Sequence, residues 1–215
     1  LVLEGIDGSG TTTQAALLAD ALRARGFSVV LTREPTDRAI GSLLRAALQH
    51  RLTLPTGEAA TLPSSSLALL FAADRLDHLA HVVEPALERG AVVISDRYDL
   101  SSLVYQSATD PEGAAALEWL RALNARARRP GLTVVLDLPA QVAEERRLRR
   151  GGAEELFERR ALQERLAELY REAERLVPGD RVVHLEGQHA PEVVQAELLR
   201  VTLGWLEGAA TEQRT

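Results

Sequence analysis

Near the start of the chain, Gly5-Ile6-Asp7-Gly8-Ser9-Gly10-Thr11-Thr12 has the spacing of a loop that wraps a polyphosphate. It matches GxxxxGK[S/T] at every fixed position except the lysine, whose place Thr11 takes. Glycines at these positions let the backbone turn its N–H groups inward onto phosphate oxygens, and a helix starting at the loop's end adds its positive N-terminus. Gly5, Gly8, Ser9, Gly10, Thr11, Thr12 and Thr13 are the expected phosphate-binding set, with the Thr12 hydroxyl on Mg2+. The lysine of such a loop follows the charge that develops on the β- and γ-phosphates, and loss of one preorganised donor costs on the order of 3 kcal/mol in the transition state. All 25 basic residues are arginine, so any replacement cation is a guanidinium.

Other clusters carry groups suited to an anionic, partly aromatic ligand. Thr32-Arg33-Glu34-Pro35 leads on to Arg45, Leu70-Phe71-Ala72-Ala73-Asp74-Arg75 follows, and Asp96-Arg97-Tyr98 precedes Ser101, Ser102, Tyr105 and Gln106. An aromatic ring offers a stacking face, a guanidinium fork suits phosphate and carbonyl oxygens, and a strand-end carboxylate suits a hydrated cation. Taken alone, Phe71 fits a core position better than a stacking one, and Asp74 with Arg75 fits an exposed ion pair. Farther along, Glu144-Glu145-Arg146-Arg147-Leu148-Arg149-Arg150 ends at Gly151-Gly152. Helical spacing sets Arg146 beside Arg149 and Arg150, and Arg147 beside Arg150. The run is either a phosphate-binding cluster or a solvated face balanced by Glu144, Glu145, Glu154 and Glu155.

The elements that must position these groups follow from periodicity. Short β-rich runs at Leu1–Glu4, Ser28–Thr32, Val92–Asp96, Thr133–Leu138 and Arg181–Leu185 alternate with helical patterns, the signature of a parallel sheet covered on both faces. Ala15, Leu18 and Leu22 recur at helical spacing before a stop at Gly26. The expected fold is α/β: a five-stranded parallel sheet with helices on both faces, of the P-loop NTP hydrolase type, with a helical lid. One domain spans residues 1–208, Ala140 to about Arg175 reads as two helices joined at Gly151-Gly152 with the lid at about 140–158, and 209–215 form a small polar, frayed tail. Because ligands bind at the carboxyl ends of such strands, Arg33 and Arg97 are expected to flank the phosphate loop.

The excess of 31 acidic over 25 basic residues, a formal charge of −6, argues against a general nucleic-acid binder. The absence of cysteine excludes disulfides and thiolate chemistry. The longest apolar run, Leu67 to Ala73, is too short to span a bilayer, so no membrane partner is expected and the cytoplasm is the default location.

Taken together and in this order, EGIDGSG, TREP, LFAADR, DRYDLSSLVYQ and LDLP resemble the thymidylate kinase family from the phosphate loop to the region of Gln188. The resemblance implies ATP- and Mg2+-dependent phosphorylation of dTMP to dTDP, on the way to dTTP. It implies that Phe71 stacks on thymine, Arg75 bonds the base edge, Ser102 meets the base from the other side, and Tyr105 closes against the deoxyribose, with Gln106 next to it in the dTMP site. Asp7 is expected to hold the 3′-hydroxyl, Arg45 and Arg97 to lie near the acceptor phosphate, and Asp96 to order Mg2+ through water. Family members of one type supply a catalytic arginine from the lid, and Gly8 stands where the other type carries its arginine, so Arg149 or Arg150 is expected to replace the missing lysine. Where the family often has a DRFE-like segment this chain reads Glu155-Leu156-Phe157-Glu158, to which no role is assigned. A homodimer packed through the helix from about Ser66 to Leu87 is also implied. Two other readings are a deoxynucleoside kinase, which would need a base for a sugar hydroxyl, and a nucleotide-binding regulatory protein with little turnover.

Overall fold

The structure is a computed structural model; it describes the backbone of residues 1–150 and 160–212, with the side chains of residues 113, 114, 150 and 209–212 outside the described set. Five parallel strands, β1 (Val2–Glu4), β2 (Val29–Arg33), β3 (Val92–Asp96), β4 (Thr133–Asp137) and β5 (Val182–Glu186), form one sheet in the order β2-β3-β1-β4-β5. Central strands β1 and β4 are apolar and buried almost throughout, whereas edge strands β2 and β5 are half exposed, as expected when helices cover both faces of a parallel sheet. Connections leave the centre in opposite directions, β1 to β2 on one side and β3 to β4 across β1, and this divergence opens a crevice at the carboxyl ends.

Helix α1 (Thr11–Arg23) buries Ala15, Leu18, Ala19 and Leu22 against the sheet. It stops at Gly26, whose φ of 86° lets Phe27 N–H donate to Leu22 O at 3.1 Å, a left-handed termination that glycine tolerates best. Together with α10 (Pro191–Glu212), α1 covers one face, where Leu3, Leu18, Leu22, Ile94, Leu136 and Leu198 form a core. The opposite face carries α3 (Ser64–His78), α5 (Asp99–Thr109), α6 (Leu117–Leu123), α8 (Arg160–Arg171) and α9 (Ala173–Leu176) around Leu100, Leu103, Val104, Leu120, Leu166 and Tyr170. Two further helices, α2 (Ala39–Leu48) and α7 (Ala140–Arg150), stand over the carboxyl ends of β2 and β4.

The helix expected from about Ser66 to Leu87 is helical from Ser64 to Glu88, with a π-helical turn inside it: α3 ends at His78, the π turn spans Leu79–Val83, and α4 covers Glu84–Glu88. α10 continues its helical backbone to Glu212, past Gly208 where the tail was expected to begin. The expected lid is helical as α7 on its first side, and α8 resumes at Arg160; the hinge at Gly151-Gly152 and the segment 155–158 lie outside the described residues.

Candidate active site

Three glycines shape the phosphate loop between β1 and α1: Gly5 (φ 154°), Gly8 (φ 94°) and Gly10 (φ 98°). A Cβ on Gly5 would lie 2.9 Å from Leu136 O, and one on Gly8 would lie 2.7 Å from Ala143 O. The second approach presses α7 against the loop and leaves no room for a side chain at position 8. No side chain caps α1, and its first turn carries no acidic residue, so its leading amides are open to an anion.

Thr12 Oγ1 donates to Asp96 Oδ2 at 2.5 Å, joining the loop to the end of β3. Asp96 Oδ1 and Ser9 Oγ are buried with no hydrogen-bond partner in the protein. A hydroxyl, a carboxylate and an orphaned acceptor at one point suit a small, oxygen-loving cation that keeps most of its water. Among the described residues no three His, Cys, Asp or Glu side chains converge on one point, so such a cation would take its other ligands from water and phosphate.

Arg97 follows Asp96 with φ at 72°, a conformation that costs a non-glycine residue about 1–2 kcal/mol and persists only where the surroundings dictate it. It turns the guanidinium back over the loop, where it donates to Gly5 O at 3.0 Å and Asp7 Oδ1 at 2.6 Å and lies 5.2 Å from the Tyr105 ring centroid. Tyr105 and Gln163 donate to the other Asp7 oxygen at 3.1 and 3.3 Å. Burial pushes the Tyr105 phenol well above its ordinary range, so it remains a neutral donor. Beneath this corner lies Glu4, fully buried. Its Oε1 accepts from the Tyr98 and Ser101 amides at 2.8 and 3.2 Å, and its Oε2 accepts from the hydroxyls of Ser101 and Tyr170 at 2.5 and 3.1 Å. Desolvation raises the Glu4 carboxyl to about 7, against the pull of the Ser101 bond and of Arg97.

A cavity of about 110 Å³ opens beside Asp7 and Arg97, lined also by Phe71, Arg75, Ser102 and Tyr105. Gln106 reaches it too, with its Oε1 buried and unpartnered. Arg75 is almost completely buried: it pairs with Glu34 at 2.8 Å, donates to Ser102 Oγ at 3.0 Å and Tyr98 O at 3.1 Å, and bonds Asn124. Its Nε is without a hydrogen-bond partner. Glu34 is anchored in turn by His78 at 3.0 Å, which also meets Thr32 at 2.7 Å. Phe71 offers a planar ring to this cavity and Arg75 a guanidinium whose Nε is the nitrogen left without a protein partner, groups that suit a flat heterocycle with an acceptor edge.

Of the expected site residues, the structure brings together Asp7, Phe71, Arg75, Arg97, Ser102, Tyr105 and Gln106 at the cavity and Thr12 with Asp96 at the loop. It does not bring Arg33, Arg45 or Arg149 there. Arg33 ends the outermost strand and pairs with Asp37 at 2.8 Å, two strands from the loop. Arg45 spends its donors on Pro35 O at 2.7 Å, Asp37 at 2.7 Å and Thr36 O, so it shapes the segment that supplies Glu34 and Pro35 to the cavity. Arg149 is largely exposed and turned back on its own helix, donating to Glu145 O at 3.3 Å, while the side chain of Arg150 lies outside the described residues. Arg147, one of the arginine run but not the favoured one, donates instead to Asp7 O at 3.0 Å, and Arg146 reaches Gln188 O at 3.4 Å. Sequence reasoning missed Glu4, Glu34, Asn124, Gln163 and Tyr170. Glu4 carried a signal, since a carboxylate inside an apolar central strand must find donors; Gln163 and Tyr170 sit at ordinary helical core spacing and carried none.

Comparison with known proteins agrees with this geometry. The sequence profile described as thymidylate kinase matches residues 3–198. A probable thymidylate kinase of Pyrococcus abyssi is 43% identical over 179 residues, covering 80% of this chain and 84% of that protein. A thymidylate kinase of Rhizorhabdus wittichii is 39% identical over 202 residues, covering 93% and 94%. The phosphate loop, the Asp96-Arg97 strand end and the buried arginine at the cavity floor thus lie within a match that spans most of the sequence, and the chain belongs to the thymidylate kinase family.

Proposed function

We propose that the protein transfers the γ-phosphoryl group of ATP to dTMP, giving dTDP and ADP. The observation that carries this reading is the cavity beside the phosphate loop, where the Phe71 face, the Arg75 fork, Ser102 and Tyr105 surround a space that ends at Asp7 and Arg97. Thymine fits between Phe71 and Arg75. Tyr105, bonded to Asp7, stands where a ribose 2′-hydroxyl would intrude, and Asp7 is left to meet the 3′-hydroxyl. Arg97 offsets the charge of the acceptor phosphate, one oxygen of which attacks the γ-phosphorus in line as the bond to the β,γ-bridging oxygen breaks.

The loop amides would bind the donor phosphates, and Thr12 and Asp96 would hold Mg2+, which would supply charge neutralisation for the transferred group. No side-chain nucleophile is needed, because positioning and charge neutralisation do the chemistry. Both oxygens of Asp7 are engaged, one by Arg97 and the other by Tyr105 and Gln163, which disfavours Asp7 as the free base that a nucleoside hydroxyl acceptor would require. We further propose that the enzyme works as a homodimer in the cytoplasm; among the described residues no helix is long and apolar enough to cross a membrane.

Steady-state assays with ATP and Mg2+ across dTMP, dUMP, dCMP, UMP and thymidine test the reading. Turnover highest with dTMP and absent with thymidine is expected. Preference for thymidine would make the protein a deoxynucleoside kinase, and tight ATP binding with no dTDP formed would make it a regulatory nucleotide binder.

A further inference from the structure

Glu4 does not line the acceptor cavity, yet its carboxylate is tied to the arginine that does. The Arg97 backbone is fixed by contacts of its own: its N–H donates to Leu3 O at 2.8 Å and its carbonyl accepts from Ser95 Oγ at 2.7 Å. The guanidinium is held separately. Nη2 donates to Asp7, while Nη1, with two hydrogens, faces three oxygens: Gly5 O at 3.0 Å, Ser101 Oγ at 3.2 Å and Tyr170 Oη at 3.3 Å. The last two are the hydroxyls that donate to Glu4 Oε2, and they lie 2.9 Å from each other. A hydroxyl has one proton, so the partner that takes it decides what the oxygen offers on its other side. While Oε2 takes both protons, Ser101 and Tyr170 turn lone pairs toward Nη1. When Oε2 carries a hydrogen, or an amide nitrogen stands in its place, one hydroxyl must accept from it, and that hydroxyl's own proton swings toward its neighbour or toward Arg97. A donor then faces a donor at the guanidinium. The Tyr98 and Ser101 amides hold Oε1 in either case, so the carboxyl group stays in place and only the polarity of its far side changes.

We propose that Glu4 is a positioning residue for phosphoryl transfer: through the Ser101 and Tyr170 hydroxyls, its carboxylate orients the Arg97 guanidinium toward the acceptor phosphate. This role rests on the reading that the cavity takes dTMP, and it deepens that reading. The charged and titratable groups that face Glu4 are Arg97 after β3, Asp99 on α5 and Tyr170 on α8. Burial keeps Tyr170 a neutral hydroxyl. Because burial also raises the Glu4 carboxyl to about 7, its ionised form, and with it the hold on Arg97, is lost as pH falls through that value.

Equilibrium binding of dTMP, thymidine and MgATP, thermal melting and dTDP formation are measured in the full chain for the parent, Glu4→Gln, Arg97→Ala, their double variant and Tyr170→Phe. Thymidine lacks the phosphate, so it separates the orientation of Arg97 from the build of the cavity. At about pH 8, Glu4→Gln is expected to weaken dTMP binding about tenfold or more, with thymidine and MgATP within about twofold of the parent. In the Arg97→Ala background the same change adds no more than about twofold, because the two residues act in one chain. Tyr170→Phe keeps the ring and loses dTMP affinity in the same sense, and it supplies the test should Glu4→Gln not fold. Between about pH 8 and pH 6 the parent's dTMP affinity falls several-fold more than that of Glu4→Gln, the ionisation of dTMP itself being common to both. Equal weakening of dTMP and thymidine, a full further loss in the Arg97→Ala background, or parallel pH profiles for the parent and Glu4→Gln overturns the proposal. A parent that binds dTMP but forms no dTDP defeats the functional reading alone, and the comparison of dTMP with thymidine still decides the role of Glu4.

Discussion

Thr12 and Asp96 are 84 positions apart in the chain, yet their oxygens meet at 2.5 Å beside a carboxylate oxygen left without a partner. Thr12→Val keeps the side chain's shape and removes the hydroxyl, so folding stability should fall by no more than about 1 kcal/mol. Activity should drop about 100-fold with a higher Mg2+ requirement, and Thr12→Ser should retain most of it; a Mg2+ titration of dTDP formation unchanged in Thr12→Val removes the cation from this site. Glu4 gives a pH-dependent prediction. Burial lifts its carboxyl from the ordinary 4.5 to about 7, so the folded chain binds a proton that the unfolded chain has already released. The associated stability is present below pH 4.5 and is lost as pH rises through 7, a span worth about 3 kcal/mol. Because Oε1 is held by two amides that cannot reverse, the proton resides on Oε2 and one of the Ser101 and Tyr170 hydroxyls must turn to accept it. Urea unfolding at about pH 5 and pH 8.5 should show the parent losing stability relative to Glu4→Gln; parallel pH profiles for the two would contradict this. The loop glycines and Asp96-Arg97 were legible by type and spacing because their chemistry is local, whereas Phe71 and Arg75 were singled out only through the family resemblance. What was not legible is the choice among like residues. Nothing in the run Arg146 to Arg150 says that Arg147 meets the loop while Arg149 turns back on its own helix, because that depends on how closely α7 approaches Gly8.

Helix packing sets that approach, and the same tightness recurs where α2 meets the segment after β2. A Cβ on Gly41 would lie 2.1 Å from Thr36 O and 2.5 Å from Thr36 N, while Thr36 is fixed from its other side by bonds to Asp74 at 2.8 and 2.6 Å. Helix propensity alone favours alanine over glycine by about 1 kcal/mol, but overlap with backbone cannot relax by a rotamer change, and it wins. Gly41→Ala is expected to destabilise by about 1–3 kcal/mol and to raise the KM for dTMP, since Glu34 and Pro35 move with Thr36. Gly204→Ala in α10, where an added Cβ meets nothing within 4 Å, should stabilise by about 0.5–1 kcal/mol. Melting temperatures moving in opposite directions for the two variants are the expected result, and a Gly41→Ala protein that melts no lower than the parent would remove the clash. The same contrast between local and distant causes explains which elements the sequence announces. All five strands fall within a residue of their expected limits, because each is a continuous β-branched or apolar run bounded by turn residues. The π-helical turn after His78 was not foreseen: that ring is held by Thr32 and Glu34, partners brought in by β2 and the residue after it, which no period along α3 encodes.

At the scale of the whole molecule, α3 has two faces with different duties. Ala68, Ala72 and Arg75 are buried toward the acceptor cavity and the core, with Phe71 beside them, whereas Leu69 and Leu76, one heptad apart, are exposed, as is Leu43 of α2. The homodimer proposed above would pack a second copy against these exposed leucines of α3, and a stable pair would bury about 800 Å² on each. Docking there would fix α3 from outside and so hold Phe71 and Arg75 in register for the base. Sedimentation equilibrium is expected to give the mass of two chains for the parent and of one chain for Leu69→Arg/Leu76→Arg. The monomeric variant should keep its far-ultraviolet spectrum and its affinity for MgATP, because the phosphate loop lies on a different strand and draws nothing from α3. Its KM for dTMP should rise several-fold, as ordering of α3 is shifted from assembly to substrate binding. A parent that sediments as a single chain at concentrations of about 100 μM would leave this face without its partner, and a monomeric variant with unchanged dTMP affinity would show that α3 needs no support from outside.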